Sequence, residues 1–517
     1  MMRSPDALSV TDAASEAPWA QALMGARPLE ARMSSWALAF VAALSTSQVA
    51  PFTSNQETYW VHALAATANG AVLHGDWLVR ALDPVPLFTL LAAPLVAVGC
   101  WAMWLVNAAL GAVLLVAMAQ IASAASERAK VPVLAWVAFF GLIWAAFPGA
   151  FRGSCFDGVA EQRAYCEYLQ PSNAGVLLIA GVWFALDGRS MAAVLVSAAA
   201  AWIHPTYALS AVIFTLGVLV ADLRAAQPRA LLTALVGLLA TAPPAWASAC
   251  RFAPTSQAVA FRAAQLLTAE RMPHHALLSS WGHRPETLLK VALVSLAIAS
   301  STGRTRRLLV TWLAAVLLFT GLVVLARRPQ FLLLFPWRSS VWLVPVAAAL
   351  LWGRAARIFP RQSWAWLLAC LPALSIACCY RLARGHSSPG PDQDPGVHLA
   401  GTIGRSERER WSLLIPVDWE AVRMNAPASV YVDFKSHPYK DSEVLAWWER
   451  VARARAVFPK DAELDCRAVD TVLRTDPSVG FVLAPRATGL AHCAALLAAR
   501  SDDQATLYRI RGRTSMD

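Results

Sequence analysis

Eleven stretches of this 517-residue chain are apolar over lengths close to a bilayer's thickness. They run 33–52, 101–124, 131–147, 171–186, 191–204, 206–221, 230–249, 287–301, 308–325, 341–352 and 363–380. A hydrocarbon core asks for about 17–25 such residues per helix. Lipid offers no partner for an open backbone, so each stretch is expected to be a helix. Composition agrees, at 57% hydrophobic and 15% charged residues; a soluble chain carries about 25% charge. A disordered chain is excluded on these grounds, and a soluble multidomain enzyme is not the expectation.

The remaining charge sorts by position. Overall, 44 Lys and Arg against 33 Asp and Glu leave +11. From Arg381 onward the tail is nearly neutral, with 19 basic and 18 acidic residues. The excess therefore lies in the apolar part, which points to sorting across a membrane rather than to a nucleic-acid partner. Short basic connections at Arg128/Lys130, Arg189, Arg224/Arg229, Arg304/Arg306/Arg307 and Arg354/Arg357/Arg361 read as cytoplasmic, together with Arg27 and Arg32. The longer loops 53–85, 150–170, 250–286 and 326–340 then fall outside, as does the tail. Residues 86–99 are apolar enough to cross, but a crossing there would invert everything after them. A short helix in the outer interface is expected instead.

The expected organisation is a cytoplasmic segment 1–32, a multi-span membrane domain 33–380, a linker 381–401 and a small extracytoplasmic α/β domain 402–517. The first span is expected to be an uncleaved anchor in a bacterial inner membrane. In the tail, 430–434 and 480–483 read as strands, and 442–457 and 490–499 as helices. Asp441 or Ser442 reads as that first helix's cap. Nine cysteines are too few for a disulfide scaffold. Cys155/Cys166 and Cys466/Cys493 are the pairs an oxidising outside would permit to close. No His/Cys cluster suggests a metal site, and no cofactor is indicated; a divalent metal on the loop carboxylates stays open.

The outer loops carry the candidate chemistry. Glu57 follows the first span, and Asp76, Arg80 and Asp83 precede the interfacial segment. Carboxylates at the mouth of a bundle can take a proton from an acceptor hydroxyl or position a cation; they also read as ordinary solvated loop charges. Arg338 stands at the outer start of a span, where a helix N-terminus also favours an anion. His204, followed by Pro205, lies at bilayer depth, which makes it a functional candidate; a structural cap is the plainer reading. Glu270, Arg271, His274, His275 and His283 share one outer loop without a diagnostic spacing. The tail's FKSHPYKD, 434–441, mixes charge and aromatics.

Two resemblances follow. NQETYW (55–60) and HGDWLVRALDPVPLF (74–88) resemble the first outer loop of the GT-C class of integral-membrane glycosyltransferases. That resemblance implies Glu57 or Asp76 as the base activating an acceptor. It also implies outer arginines such as Arg338 holding a polyprenyl phosphate. Arg80 as a second phosphate clamp, with Asp83 and His204, completes the expected site for a polyprenyl-phosphate-linked sugar. Gln56 stands where a paired acid is expected. More specifically, YLQPSNAG (168–175), AWIHPTY (201–207), FPWRSS (335–340) and VDFKSHPYKDSEVLAWW (432–448) resemble an uncharacterised family of bacterial polytopic membrane proteins carrying a domain of unknown function. A transporter or flippase for an anionic lipid or solute, or a non-catalytic scaffold, are the competing functional readings.

Overall fold

The computed structural model describes residues 28–126, 131–147, 149–358, 364–384, 395–459, 465–486 and 493–513. The expectations placed on Arg27, Arg128, Lys130, Arg361 and residues 385–394 of the linker fall outside those residues.

All eleven apolar stretches are helical at their cores. Five helices are long and apolar enough to cross a membrane: Cys100–Ala125, Pro205–Leu223, Ala230–Arg251, Gly303–Ala326 and Pro329–Ala355. Their burial ranks them. Within their most apolar windows Pro329–Ala355 is 72% buried and Cys100–Ala125 is 67% buried, so these two form the centre; Ala230–Arg251 at 33% and Gly303–Ala326 at 28% lie at the periphery. The peripheral helices turn Leu231, Leu235 and Leu239, and Leu317, Leu318 and Leu325, outward. An apolar surface that continuous is tolerable only against lipid.

Residues 86–99 form a helix, Pro86–Val98, of 13 residues. At 1.5 Å per residue it reaches about 20 Å, short of the roughly 30 Å core. Gly99, at φ +121°, separates it from Cys100–Ala125. Phe88 and Ala92 are buried while Leu90 and Leu91 are exposed.

A polar knot pulls the loop 158–172 down onto the bundle. Asn107 donates to Ser47 Oγ and to the Cys166 carbonyl, both at 3.1 Å, and accepts from Asn173 at 2.7 Å. Tyr165 donates to the Asn107 carbonyl at 3.0 Å. A mid-helix asparagine in lipid must find such partners. Its satisfaction here fixes the loop's position.

The tail carries a four-stranded sheet in the order β1-β2-β4-β3. The strands are β1 (Ser412–Leu414), β2 (Val479–Pro485), β3 (Leu496–Ser501) and β4 (Ala505–Ile510). β1 pairs parallel to β2, and the other pairs are antiparallel. The helix Asp441–Val457 packs Trp447 and Val451 into the core beneath it. Two tail expectations are corrected. Residues 430–434 contribute one bridge, Leu413 to Val430, and no strand; the chain turns there to bury Asp433. The described part of 490–499 lies outside any helix. Leu496 onward is the edge strand β3, hydrogen-bonded to β4, so cross-strand pairing overrides an alanine-rich segment's helix preference. Cys466 and Cys493 are bonded to each other, whereas Cys155 and Cys166 are free.

Candidate functional site: a cationic cavity beneath the tail

The four longer loops meet at one end of the bundle, and the tail covers them. Its segment 434–441 is the cover. The Lys435 carbonyl accepts from Arg271 Nη2 at 2.8 Å and from Thr58 Oγ1 at 3.5 Å. Tyr439 and Tyr59 join hydroxyl to hydroxyl at 2.9 Å. Asp441 accepts from the backbone and hydroxyl of Thr255 at 2.8 and 2.7 Å, and from Ser442 N at 2.8 Å. The helix's N-cap position is Lys440, which makes no side-chain cap, so neither Asp441 nor Ser442 is the cap; Asp441, in the first turn, instead ties the helix to the loop below.

Between cover and bundle lies a cavity of about 340 Å³. Arg338 and His204 form its floor, Gln162 and Arg163 one side, Arg271 and His275 the other, and Lys435 and His437 the roof. Each of the four stretches that carry the second resemblance supplies part of this wall: Tyr168 and Gln170, His204 and Thr206, Phe335 and Arg338, and Lys435, His437 and Tyr439.

The charge is one-sided. Arg163, Arg271, Arg338 and Lys435 face a single lining carboxylate, Glu161, which is taken up by Arg284 at 2.6 Å. Arg163 has Asp157 at 3.4 Å, and Lys435 has Glu420 at 3.8 Å. Arg271 and Arg338 have no carboxylate partner among the described residues. Arg338 donates to Gln162 Oε1 at 2.9 Å and to Thr206 Oγ1, stands 3.4 Å from His204 Nε2, and lies over the Tyr207 ring at 5.5 Å. These contacts hold the guanidinium in place without neutralising it. It projects from the turn Pro336–Ser339, which Phe335 enters at φ +45°.

The buried hydrogen-bonding atoms sort by kind. Arg338 can only donate, so His204 Nε2 accepts and Nδ1 carries the hydrogen. That Nδ1 is buried without a partner, as is Gln162 Nε2, whose own oxygen is used by Arg338. The floor thus presents donors. On the roof, His437 Nδ1 faces the Lys435 carbonyl at 3.4 Å, which leaves Nε2 as a bare, buried lone pair. Burial, with Arg271 adding, pushes His437 down to about 3. His275 is similar: Nδ1 bonds the Ala160 carbonyl at 2.7 Å, and burial brings it to about 4. Both imidazoles are neutral at pH 7. Unpaired buried polar atoms are uncommon in native proteins, and an unfilled ligand position is one cause.

The six residues expected at the site divide. His204 and Arg338 line the cavity. Glu57 lies behind the wall, one residue before Thr58, and is 4% exposed. Its carboxyl meets that of Glu420 and is pushed up to about 10 by burial first, then by Glu420 and Asp433. Burial raises Glu420 as well. Asp76 is fully buried: it accepts from Leu78 N at 2.8 Å, Val430 N at 2.9 Å and Arg423 Nε at 3.1 Å. Arg423 also bonds Asp433, forming a buried Asp–Arg–Asp clasp between the first loop and the tail. A carboxylate so committed has no free oxygen to offer a substrate. Arg80 is exposed, and Asp83 accepts from Val85 N at 2.8 Å ahead of the Pro86–Val98 helix. Gln56, at the position of the expected second acid, donates to the Leu169 carbonyl at 2.8 Å and staples two loops together.

Glu420, Arg423, Gln162 and Arg163 were not singled out from sequence. For Gln162, Glu420 and Arg423 a decisive partner lies far along the chain, at Arg338, Glu57 and Asp76, so no local signal marks them; Arg163 stands beside the nearby Asp157. Among the described residues no three His, Cys, Asp or Glu side chains gather as a metal site. Residues 408–454 match the profile of a domain of unknown function, DUF6798. That span contains Glu420, Arg423, Asp433 and the whole roof segment. No curated protein matches the chain.

Proposed function

We propose that this chain is a bacterial inner-membrane glycosyltransferase, resembling the GT-C class, that moves a sugar from a polyprenyl-phosphate donor to an acceptor at the outer face. One observation carries the reading: two guanidiniums without carboxylate partners converge, with orphaned donors, on a cavity at the end of an apolar bundle. A donor-rich site suits a ligand of acceptor-only oxygens, which describes a phosphate. In this reading Arg338, His204 Nδ1 and Gln162 hold the donor's phosphate on the floor, with Arg271 and Lys435 above it. The acceptor's hydroxyl oxygen attacks the sugar's anomeric carbon, the bond from that carbon to the phosphate oxygen breaks, and the hydroxyl proton passes to the departing polyprenyl phosphate. Positive charge fixed where the phosphate charge develops lowers the barrier. His437 Nε2 accepts the hydrogen bond of the attacking hydroxyl and so aims it. Glu57 and Asp76 serve from behind, one as a neutral acid and the other as a clasp. The N-terminus is then cytoplasmic and the tail extracytoplasmic.

A transporter reading places its site near mid-membrane. The cavity's position at the end of the bundle favours the enzyme. The test is binding of a long-chain polyprenyl phosphate to the full chain in nanodiscs, followed by transfer from its glycosylated form. Arg338→Ala with Arg271→Ala should weaken binding by at least tenfold. Unchanged binding in that double variant refutes the proposal.

A further inference from the structure

A second cavity, of about 560 Å³, lies at the other end of the bundle. The helix Ser190–Ile203 starts at this cavity and ends at His204 in the first one. Its 14 residues put about 21 Å between them. The lining includes Ser190, Met191 and Ala192, and Ala230, Leu232 and Thr233. These are the opening turns of two helices, of 14 and 22 residues. First-turn backbone N–H groups are the ones an α-helix leaves without internal partners, and two such ends favour an anion.

The side chains agree. Arg189, Arg229 and Arg304 line the cavity against one carboxylate, Asp222. Asp222 is 2% exposed and holds Arg304 at 2.7 Å, while Ser190 accepts from the same nitrogen at 2.8 Å. Arg304 is thereby aimed. Thr233 is 5% exposed and lines the cavity, and its hydroxyl has no hydrogen-bond partner among the described residues. From the cavity's edge the exposed stripe Leu231, Leu235 and Leu239 runs down the outer face of Ala230–Arg251. A charged mouth continuous with a lipid-facing stripe suits a molecule that has both parts.

We infer that this second cavity binds one phosphate group, that of an anionic membrane lipid whose acyl chains lie along the leucine stripe. The phosphate sits between Arg189, Arg229 and Arg304, with Thr233 donating its hydroxyl. A soluble phosphate offers the same head without the chains, and the test separates the two.

The test uses the full chain in micelles, with lipid binding read by native mass spectrometry. The background is Arg338→Ala, so that the first cavity does not contribute. Phosphatidylglycerol should bind, and phosphatidylcholine should bind at least tenfold more weakly. Arg189→Gln with Arg229→Gln, both exposed and without ion-pair partners among the described residues, should lower phosphatidylglycerol binding at least tenfold. Thr233→Val should lower it by a smaller factor. Failure of millimolar inorganic phosphate to compete assigns the site to lipid, and full competition assigns the phosphate to a soluble source. Equal phosphatidylglycerol binding by the background protein and the double-Gln variant overturns the inference.

Discussion

Glu57→Gln is expected to stabilise the protein at neutral pH, by an amount that grows with pH. The Glu57 carboxyl rises from its ordinary 4.5 to about 10, chiefly because burial penalises its charge. The folded state therefore keeps this proton through a window in which the unfolded chain has released it. Stability from this group is fully present below pH 4.5 and declines as pH rises toward 10. Each unit costs about 1.4 kcal/mol, so the loss by pH 7 is on the order of 3 kcal/mol. Glutamine does not titrate, matches the acid in shape, and keeps a donor toward Glu420. Wild type and variant should melt together near pH 5 in detergent, and the variant should melt progressively higher at pH 6, 7 and 8. Infrared difference spectra at pH 7 should show a protonated carboxyl band that the variant lacks. Parallel melting profiles, with no such band, would refute the assignment of a neutral Glu57. The variant also bears on mechanism: as a neutral acid behind the wall, Glu57 can be replaced with phosphate binding intact.

Arg423→Met leaves Asp76 and Asp433 buried without their shared cation, and breaking a buried pair in this way costs about 3–5 kcal/mol. Hydrogen exchange should accelerate together in the first loop near Asp76 and in 430–437, and unchanged protection in both would show that the clasp does not hold the tail. Gly217→Ala would place a Cβ 2.0 Å from Trp312 Nε1, where Gly303–Ala326 packs on Ala208–Leu223. Overpacking of this kind costs roughly 1–3 kcal/mol, and it should lower the melting temperature without altering phosphate binding.

The spans were legible because a lipid-facing helix needs no polar face, so composition alone marks it. Their ends were read within a few residues wherever a charge or proline punctuates them, as at Pro171 and Arg251. The first span was extended to Phe52, but its helix ends at Ser47, where side-chain hydroxyls bond back to the carbonyls of Ala42 and Ala43. The tail was read less well. Its segment 430–434 has strand-forming residues but spends its backbone on Leu413 and its side chain on Arg423. At the site, Arg338 and His204 were legible as single residues in unusual places. The clasp was not: Asp76 and Arg423 are 347 positions apart, and nothing local to either says that the other exists.

The outer arginines show what geometry adds to a charge count. On the proposed topology these loops lie outside, where Lys and Arg should be scarce, yet they carry several. The structure sorts them by partner. Arg152 is held by Glu167 at 2.6 Å, Arg284 by Glu161 at 2.6 Å, and Arg163 stands beside Asp157. These cations serve the loops' own architecture and need no ligand. Arg271 and Arg338 instead rest on carbonyl, amide and hydroxyl oxygens, which orient a guanidinium but leave its charge intact. Burial lowers Arg271 from its ordinary range, so keeping it charged there costs free energy. A bound anion offsets that cost; an empty cavity does not. Arg80, Arg251, Arg262, Arg327 and Arg328 are exposed and also lack a carboxylate partner among the described residues, but they do not line the cavity. Arg271 and Arg338 are the unpaired cations that face this one space, and phosphate binding there should depend on those two above the other arginines of these loops.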